Sequence, residues 1–268
     1  MRLPLNIFAL GVAVLLVAGC GGGDSGPKPL QRHFDEMFVA RFTLDQKANI
    51  VKARNDWEVS RMENANAEAQ LGEINNQIAI VKNEQKAAKL AVDNANSNKK
   101  AADASADTNR INAATKELRT AELQLRAAEA RTKYFEVYRD YLKRLQRHTA
   151  ENMYWREAQF ELSKAKLAQA NNIAPKGVSY DWYPKQEAER SKRVVSARDK
   201  EQSAKARAQG AREAWVRQQQ EADTASGKPT SYPDPMAAPG PAQPVNAPPA
   251  AAPTPMPTVP TTTTEPSK

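Results

Sequence analysis

Residues 94–107 read Asn-Ala-Asn-Ser-Asn-Lys-Lys-Ala-Ala-Asp-Ala-Ser-Ala-Asp. Asn and Ser side chains compete for backbone hydrogen bonds and favour turns over helix interiors. This polar stretch lies between two segments of matching length, 30–93 and 108–171, each about 64 residues or roughly 95 Å as a helix at 1.5 Å per residue. Equal arms around one polar hinge predict a chain that turns back on itself. With the hinge centred near residue 100, residue i should face about 201 − i. Phe38 and Phe42 then meet Phe160 and Leu162, Trp57 meets the 142–145 region, Ile78 meets Leu123, and Leu90 meets Ile111.

Hydrophobic spacing supports the two arms. Ile74, Ile78, Val81, Ala88 and Val92 follow steps of three and four, with Gln85 interrupting. Ile111, Leu118 and Leu125 are seven apart, with Ala114, Ala121 and Ala128 between them, and Phe135, Tyr138, Leu142 and Leu145 continue after a shift of phase. Such stripes are the seams of packed helices. Alanine buries little area, so the end near the hinge should be the weaker one, and the aromatic residues should gather at the opposite base. The second arm stops at 171–177, Asn-Asn-Ile-Ala-Pro-Lys-Gly. A connector, 173–184, leads to a third, shorter helix over 185–222, where Val194, Ala197, Ala204, Ala208, Ala211 and Trp215 keep the same rhythm. Folded back, it would thicken the basal half into a three-helix bundle. The fold class expected is therefore all-α: a long antiparallel coiled-coil hairpin over 30–172 plus a third helix. The competing arrangement is a parallel homo-oligomeric coiled coil with no turn-back.

The composition agrees. Between residues 30 and 222 only Pro175 and Pro184 occur and glycine is scarce. Aromatics make up 6% of the chain and mean hydropathy is −0.71. Ala, Glu, Lys, Gln and Arg dominate, as in long solvated helices. The net charge of +8 is spread with both signs along the helices, which describes a solvated surface and not a nucleic-acid stripe. From 223 to 268 Pro, Ala and Thr take over. That composition cannot pack a core and predicts an extended, disordered tail.

No catalytic constellation is present. The two histidines, His33 and His148, fall at different positions along the expected hairpin, and no HExxH, GxSxG, phosphate loop or CxxC occurs. Acidic residues such as Glu117 and Glu122 stand near Arg126 as ordinary helix-surface pairs. The sequence predicts no enzyme, no cofactor and no metal site. Tyr180, Trp182 and Tyr183 are the most unusual local feature: either they cap the end of the helices, or they form an aromatic patch at a partner or membrane interface.

The chain opens with Arg2 and a short apolar run to Ala18, which is too short and wrongly flanked for a mature membrane span and reads as a signal peptide, residues 1–19. It ends Val17-Ala18-Gly19-Cys20, and Cys20 is the one cysteine in the sequence. This motif resembles the lipobox of bacterial lipoproteins, in which small residues admit the signal peptidase and the cysteine sulfur takes a diacylglyceryl group. Leu is commoner than Val at the first position. The resemblance implies lipidation at Cys20, a membrane partner held through two or three acyl chains, and a location in the cell envelope. Residues 20–29, rich in Gly, form a flexible tether. Gly21, and not Asp, follows the cysteine, which by the enteric sorting pattern implies the outer membrane facing the periplasm.

The function expected is a structural or scaffolding lipoprotein that presents a helical rod to an envelope protein partner. Three alternatives share the architecture. Basic helical prongs are similar in shape to those of trimeric periplasmic chaperones, which suggests a holdase. The C-terminal Lys268 resembles the lysine by which the major outer-membrane lipoprotein is joined to peptidoglycan, which suggests a wall tether. Helical hairpins also serve as accessory parts of secretion, efflux or motility machines.

Overall fold

The computed structural model describes residues 26–237. Cys20, most of the tether, Lys268 and the tail from 238 lie outside the described residues. Among those described, every regular element is helical: α1 (Met37–Ala40), α2 (Ala48–Ala104), α3 (Thr108–Ala170) and α4 (Trp182–Ser226). The chain divides into two units, Met1–Thr230 and Ser231–Lys268. In the second, the described residues form a turn in which Asp234 accepts from the N–H groups of Met236 and Ala237.

The turn between the long arms is much shorter than expected. The Asn-rich stretch 94–98 is helical, α2 continues to Ala104, and only residues 105–107 break the helix. Ala106 adopts φ +54°, and the Asp107 side chain caps α3 by accepting from the N–H groups of Asn109 (2.9 Å) and Arg110 (3.3 Å). Asn costs a helix a few tenths of a kcal/mol per residue relative to Ala. Here Ala95 and Ala102 are 1% and 3% exposed against α3, and that packing outweighs the local preference.

Moving the turn shifts the register. Asn64 pairs with Thr149, Lys82 with Glu136 and Asn98 with Glu117, so residue i lies opposite about 215 − i. The expected register is displaced by about 14 residues, two heptads, so the buried faces are those expected while the partners are not. Trp57 stacks on Phe160 at 5.8 Å instead of meeting 142–145, and Leu90, expected against Ile111, is 63% exposed. Phe38 and Phe42 do join Phe160 and Leu162 in one cluster. They arrive there because 30–47 is not part of a long helix: α1 is a single turn, and Lys47 Nζ reaches back to the Ala40 carbonyl at 2.7 Å.

Along α2 the less exposed positions recur in unbroken steps of three and four from Ile50 to Ala102. Gln85, which interrupts the apolar pattern, holds its place in this stripe as a half-buried residue. In α3, Tyr134, Phe135, Tyr138 and Leu142 are buried, and Trp215 of α4 stacks on Tyr134 at 5.4 Å. A second aromatic cluster therefore sits midway along α3, in addition to the one at the base.

Helix α4 runs back along α3. Glu187 meets Trp155, Glu201 meets His148, Trp215 meets Tyr134, and Thr224 shares a groove with Thr120. It starts at Trp182, earlier than expected. Pro184 is accommodated in the first turn, where its missing N–H would have no helical acceptor. It ends at Ser226, later than expected, where Gly227 at φ +70° donates its N–H to the Asp223 carbonyl. At 45 residues it extends past the basal half of α3 nearly to the turn. Around α3, the residues meeting α2 (Arg131, Thr149, Phe160) and those meeting α4 (Tyr134, His148, Trp155) are roughly 100° apart at 3.6 residues per turn. Helices packed on those faces at 8–10 Å leave α2 and α4 about 14 Å apart, and no Cα of α2 comes within 8 Å of α4. The three helices do not close into a bundle. Helix α3 is central, flanked by α2 and α4, and at the base Ile50 of α2 and Tyr183 of α4 belong to one apolar cluster with Phe34 and Phe160.

Candidate functional site

The segment 28–34 has no regular structure, so its backbone donors and acceptors need partners from elsewhere. Side chains of α3 and α4 supply them. Gln186 accepts from the Arg32 N–H (3.1 Å) and donates to the Arg32 carbonyl (3.0 Å), a side-chain amide standing in for a strand. Glu161 accepts from the Phe34 N–H at 2.6 Å, and Lys164 donates to the Phe34 carbonyl at 2.9 Å. Tyr183 Oη donates to the His33 carbonyl, and Arg190 donates to the carbonyls of Lys28 and Pro29 at 2.6 and 3.2 Å. The result is a clasp that holds the N-terminal segment against the helices.

Its charged parts are buried. Glu161 and Lys164, one helical turn apart on α3, form an ion pair of 2.9 Å with side chains 5% and 4% exposed. Glu151, 2% exposed, is bridged by Arg147 at 2.9 Å and approached by Arg190 at 3.8 Å. Burying such ions is costly unless geometry and added hydrogen bonds offset it. Glu161 and Lys164 each bond a backbone group as well as each other, which meets that condition; Arg190 bonds two carbonyls through Nη2, while its Nη1 and the facing Glu151 Oε2 have no hydrogen-bond partner.

The apolar half of the clasp is Phe34, 2% exposed. Its ring lies 5.9 Å from Phe38, 5.7 Å from Tyr183 and 6.2 Å from Tyr180. Tyr183 is buried, so no face of it is open to a partner; burial first, then the nearby Glu161 charge, pushes its hydroxyl above the ordinary tyrosine range. Tyr180 is half-buried and donates to the Ile173 carbonyl. Trp182 is half-buried under the Arg32 guanidinium, 4.2 Å from the ring centroid. The three aromatics singled out in the sequence thus close the base of the helices around the N-terminal segment, and only Tyr180 and Trp182 keep exposed surface. The histidines are held by different helices: His33 lies 3.7 Å from Glu161, and His148 lies 3.2 Å from Glu201.

Glu161, Lys164 and Arg190 were not singled out in the sequence. Their signal is faint: Glu161 and Lys164 fall among Ala158, Phe160, Ala165 and Ala168, charges at spacings that otherwise belong to a buried face. The partner they serve is more than a hundred residues away in sequence, so local patterning cannot show it.

Glu157 reports on the clasp through pH. Burial is the main cause that raises its carboxyl above the usual carboxylate range; His33 opposes this, Glu161 adds to it, and Arg190 and Lys164 oppose it. A carboxyl raised in the folded state binds more protons folded than unfolded, so stability falls as pH rises through that window. Glu157→Gln should therefore raise the melting temperature at pH 7. The gain should vanish as pH drops below the ordinary glutamate range, about 4.3, where both forms are neutral. Thermal melts at pH 7 and pH 3.5 check this; an equal shift at both would exclude the ionisation.

The clasp contains no nucleophile aligned with a base. What it does chemically is fasten the N-terminal segment to the core. None of the described helices is long and apolar enough to cross a membrane. Comparison with protein-family models, with characterised proteins and with solved structures yields no match to this chain.

Proposed function

We propose that the chain is a lipid-anchored structural lipoprotein of the bacterial envelope. In this reading α2 and α3 form an antiparallel coiled-coil hairpin that stands as a rod for an envelope protein partner. The observation that carries the reading is Val17-Ala18-Gly19-Cys20 at the end of a short apolar run. The clasp supports it. A protein held by acyl chains at Cys20 transmits any load through the residues that follow, and among the described residues the segment 28–34 is gripped by the helices.

Radiolabelled palmitate fed to cells expressing the full chain should appear in the native protein and be lost in Cys20→Ala. Label retained in Cys20→Ala, or absent from both, would overturn the anchor. Fractionation alone is a weaker readout, because an uncut signal peptide also retains a protein in the membrane.

A further inference from the structure

Helix α2 carries a second stripe on the side away from α3. Exposed large apolar residues are concentrated there. Val59, Met62, Ile80 and Leu90 are 49–63% exposed, whereas α3, the longest helix, shows none of this kind and α4 shows Val195. These four share one face in the same steps of three and four that order the buried seam, about half a turn of the helix away from it. From Asn55 to Ala101 every position of this second stripe is exposed, and Glu73 is its single charge. The outer face of a solvated helix is ordinarily its most charged. The rest of the stripe is Ala, Ser and five asparagines: Asn55, Asn66, Asn76, Asn83 and Asn94.

We propose that this stripe is an interface between two copies of the chain, packed in parallel through α2. The asparagines decide among occupants. An amide has both a donor and an acceptor, so Asn pairs with the same Asn across a two-fold axis, and an Asn in a helical seam sets register between like helices. A membrane surface is a poor fit, because five amides would have to leave water without partners. Charge points the same way. The chain carries +8, yet α2 has 8 basic and 8 acidic residues, against 13 and 8 in α3 and 10 and 7 in α4. Two copies meet without net repulsion only across α2. The stripe is about 70 Å long at 1.5 Å per residue and roughly 10 Å wide, so it offers about 700 Å² per copy, close to the ~800 Å² per partner of a standard interface. The parallel orientation, and with it the pairing of each Asn with its own copy, rests on the proposed lipid anchor: two copies held by the same end in one membrane place residue i beside residue i.

The test uses the full chain in its own membrane. Single Ile80→Cys, Asn83→Cys and Leu90→Cys variants, treated with a thiol oxidant, should give disulfide-linked dimers, while Glu68→Cys, exposed on another face of α2, should not. The same protein in mild detergent should sediment as a dimer. Ile80→Glu with Leu90→Glu should at least halve the dimer fraction at equal helix content, since both side chains are solvent-exposed in the single chain. Dimers in detergent without crosslinking at 80, 83 or 90 would overturn the parallel packing and count against the common anchor. A native protein that sediments as a monomer, or equal crosslinking at 68, would overturn the interface while leaving the anchor standing. Protection of the thiol in Ile80→Cys by lipid, with no crosslink, would assign the stripe to the membrane and overturn the proposal as well.

Discussion

Phe34→Ala should destabilise the base of the protein by about 3–5 kcal/mol, the range for emptying a buried phenylalanine site. Phe34 is 2% exposed and touches three other aromatic rings from three parts of the chain. Its backbone N–H and carbonyl are the two groups held by the buried Glu161–Lys164 pair. Once the ring no longer fills its site, the segment loses its main hold. Glu161 and Lys164 are then left to satisfy one another in a partly opened pocket. The loss should be local before it is global, since long helices open in parts. Limited trypsin digestion reads it directly: cleavage after Arg32 should rise by about two orders of magnitude or more, while cleavage within α2 near Lys86 changes little. Phe34→Leu keeps much of the buried volume and should lie closer to native. An unchanged digestion pattern in Phe34→Ala would show that the polar half of the clasp holds the segment without the ring.

Trp215→Ala should have an effect of similar size at the other end of α4, again about 3–5 kcal/mol. Trp215 is 4% exposed and stacks face to face on the fully buried Tyr134, with an interplanar angle of 8°. The Arg131 guanidinium lies 5.9 Å from its ring while bonding Glu84 of α2, so Arg131 touches both neighbours of α3 at one level. The Trp215 Nε1 has no hydrogen-bond partner, so what is lost is ring burial and stacking. Around it α4 buries mostly alanines, Ala197, Ala204, Ala208 and Ala222, each of which removes little apolar area from water. Trp215 is therefore the anchor for the distal half of α4. Hydrogen exchange should accelerate over about residues 205–226 and remain slow over 183–197, where Tyr183, Arg190 and Val194 hold the helix. Trp215→Phe, which retains a ring against Tyr134, should recover most of the protection. Uniform acceleration along α4 would mean that the helix detaches as one unit.

These two residues also show where sequence reading reaches its limit. Helical content and the identity of the buried faces follow from period and composition, which are local; the bounds of the first arm do not, since it spans Ala48–Ala104 and not 30–93. The steps of three and four at Ile74, Ile78 and Val81, and at Val194, Ala197 and Ala204, mark residues that are buried in the fold. Seam periodicity also survives a register error of two heptads, because such a shift returns every residue to the same face. The partner of each residue does not survive it. That depends on where the chain turns, and the turn lies at Ser105–Asp107 because the burial of Ala95 and Ala102 against α3 outweighs the preference of Asn94–Asn98 for a bend.

By itself the sequence determined a mostly helical chain with two long helical segments and a third, shorter one. Only the tertiary structure decided that α3 is central, that α2 and α4 pack on neighbouring faces of it, and that residues 28–34 are clasped by Glu161, Lys164, Gln186 and Arg190. The physical reason is range. Helix formation and amphipathic patterning are properties of neighbours along the chain, whereas the orphan backbone groups of Phe34 find their side-chain partners more than a hundred residues away, where only the folded chain brings them together.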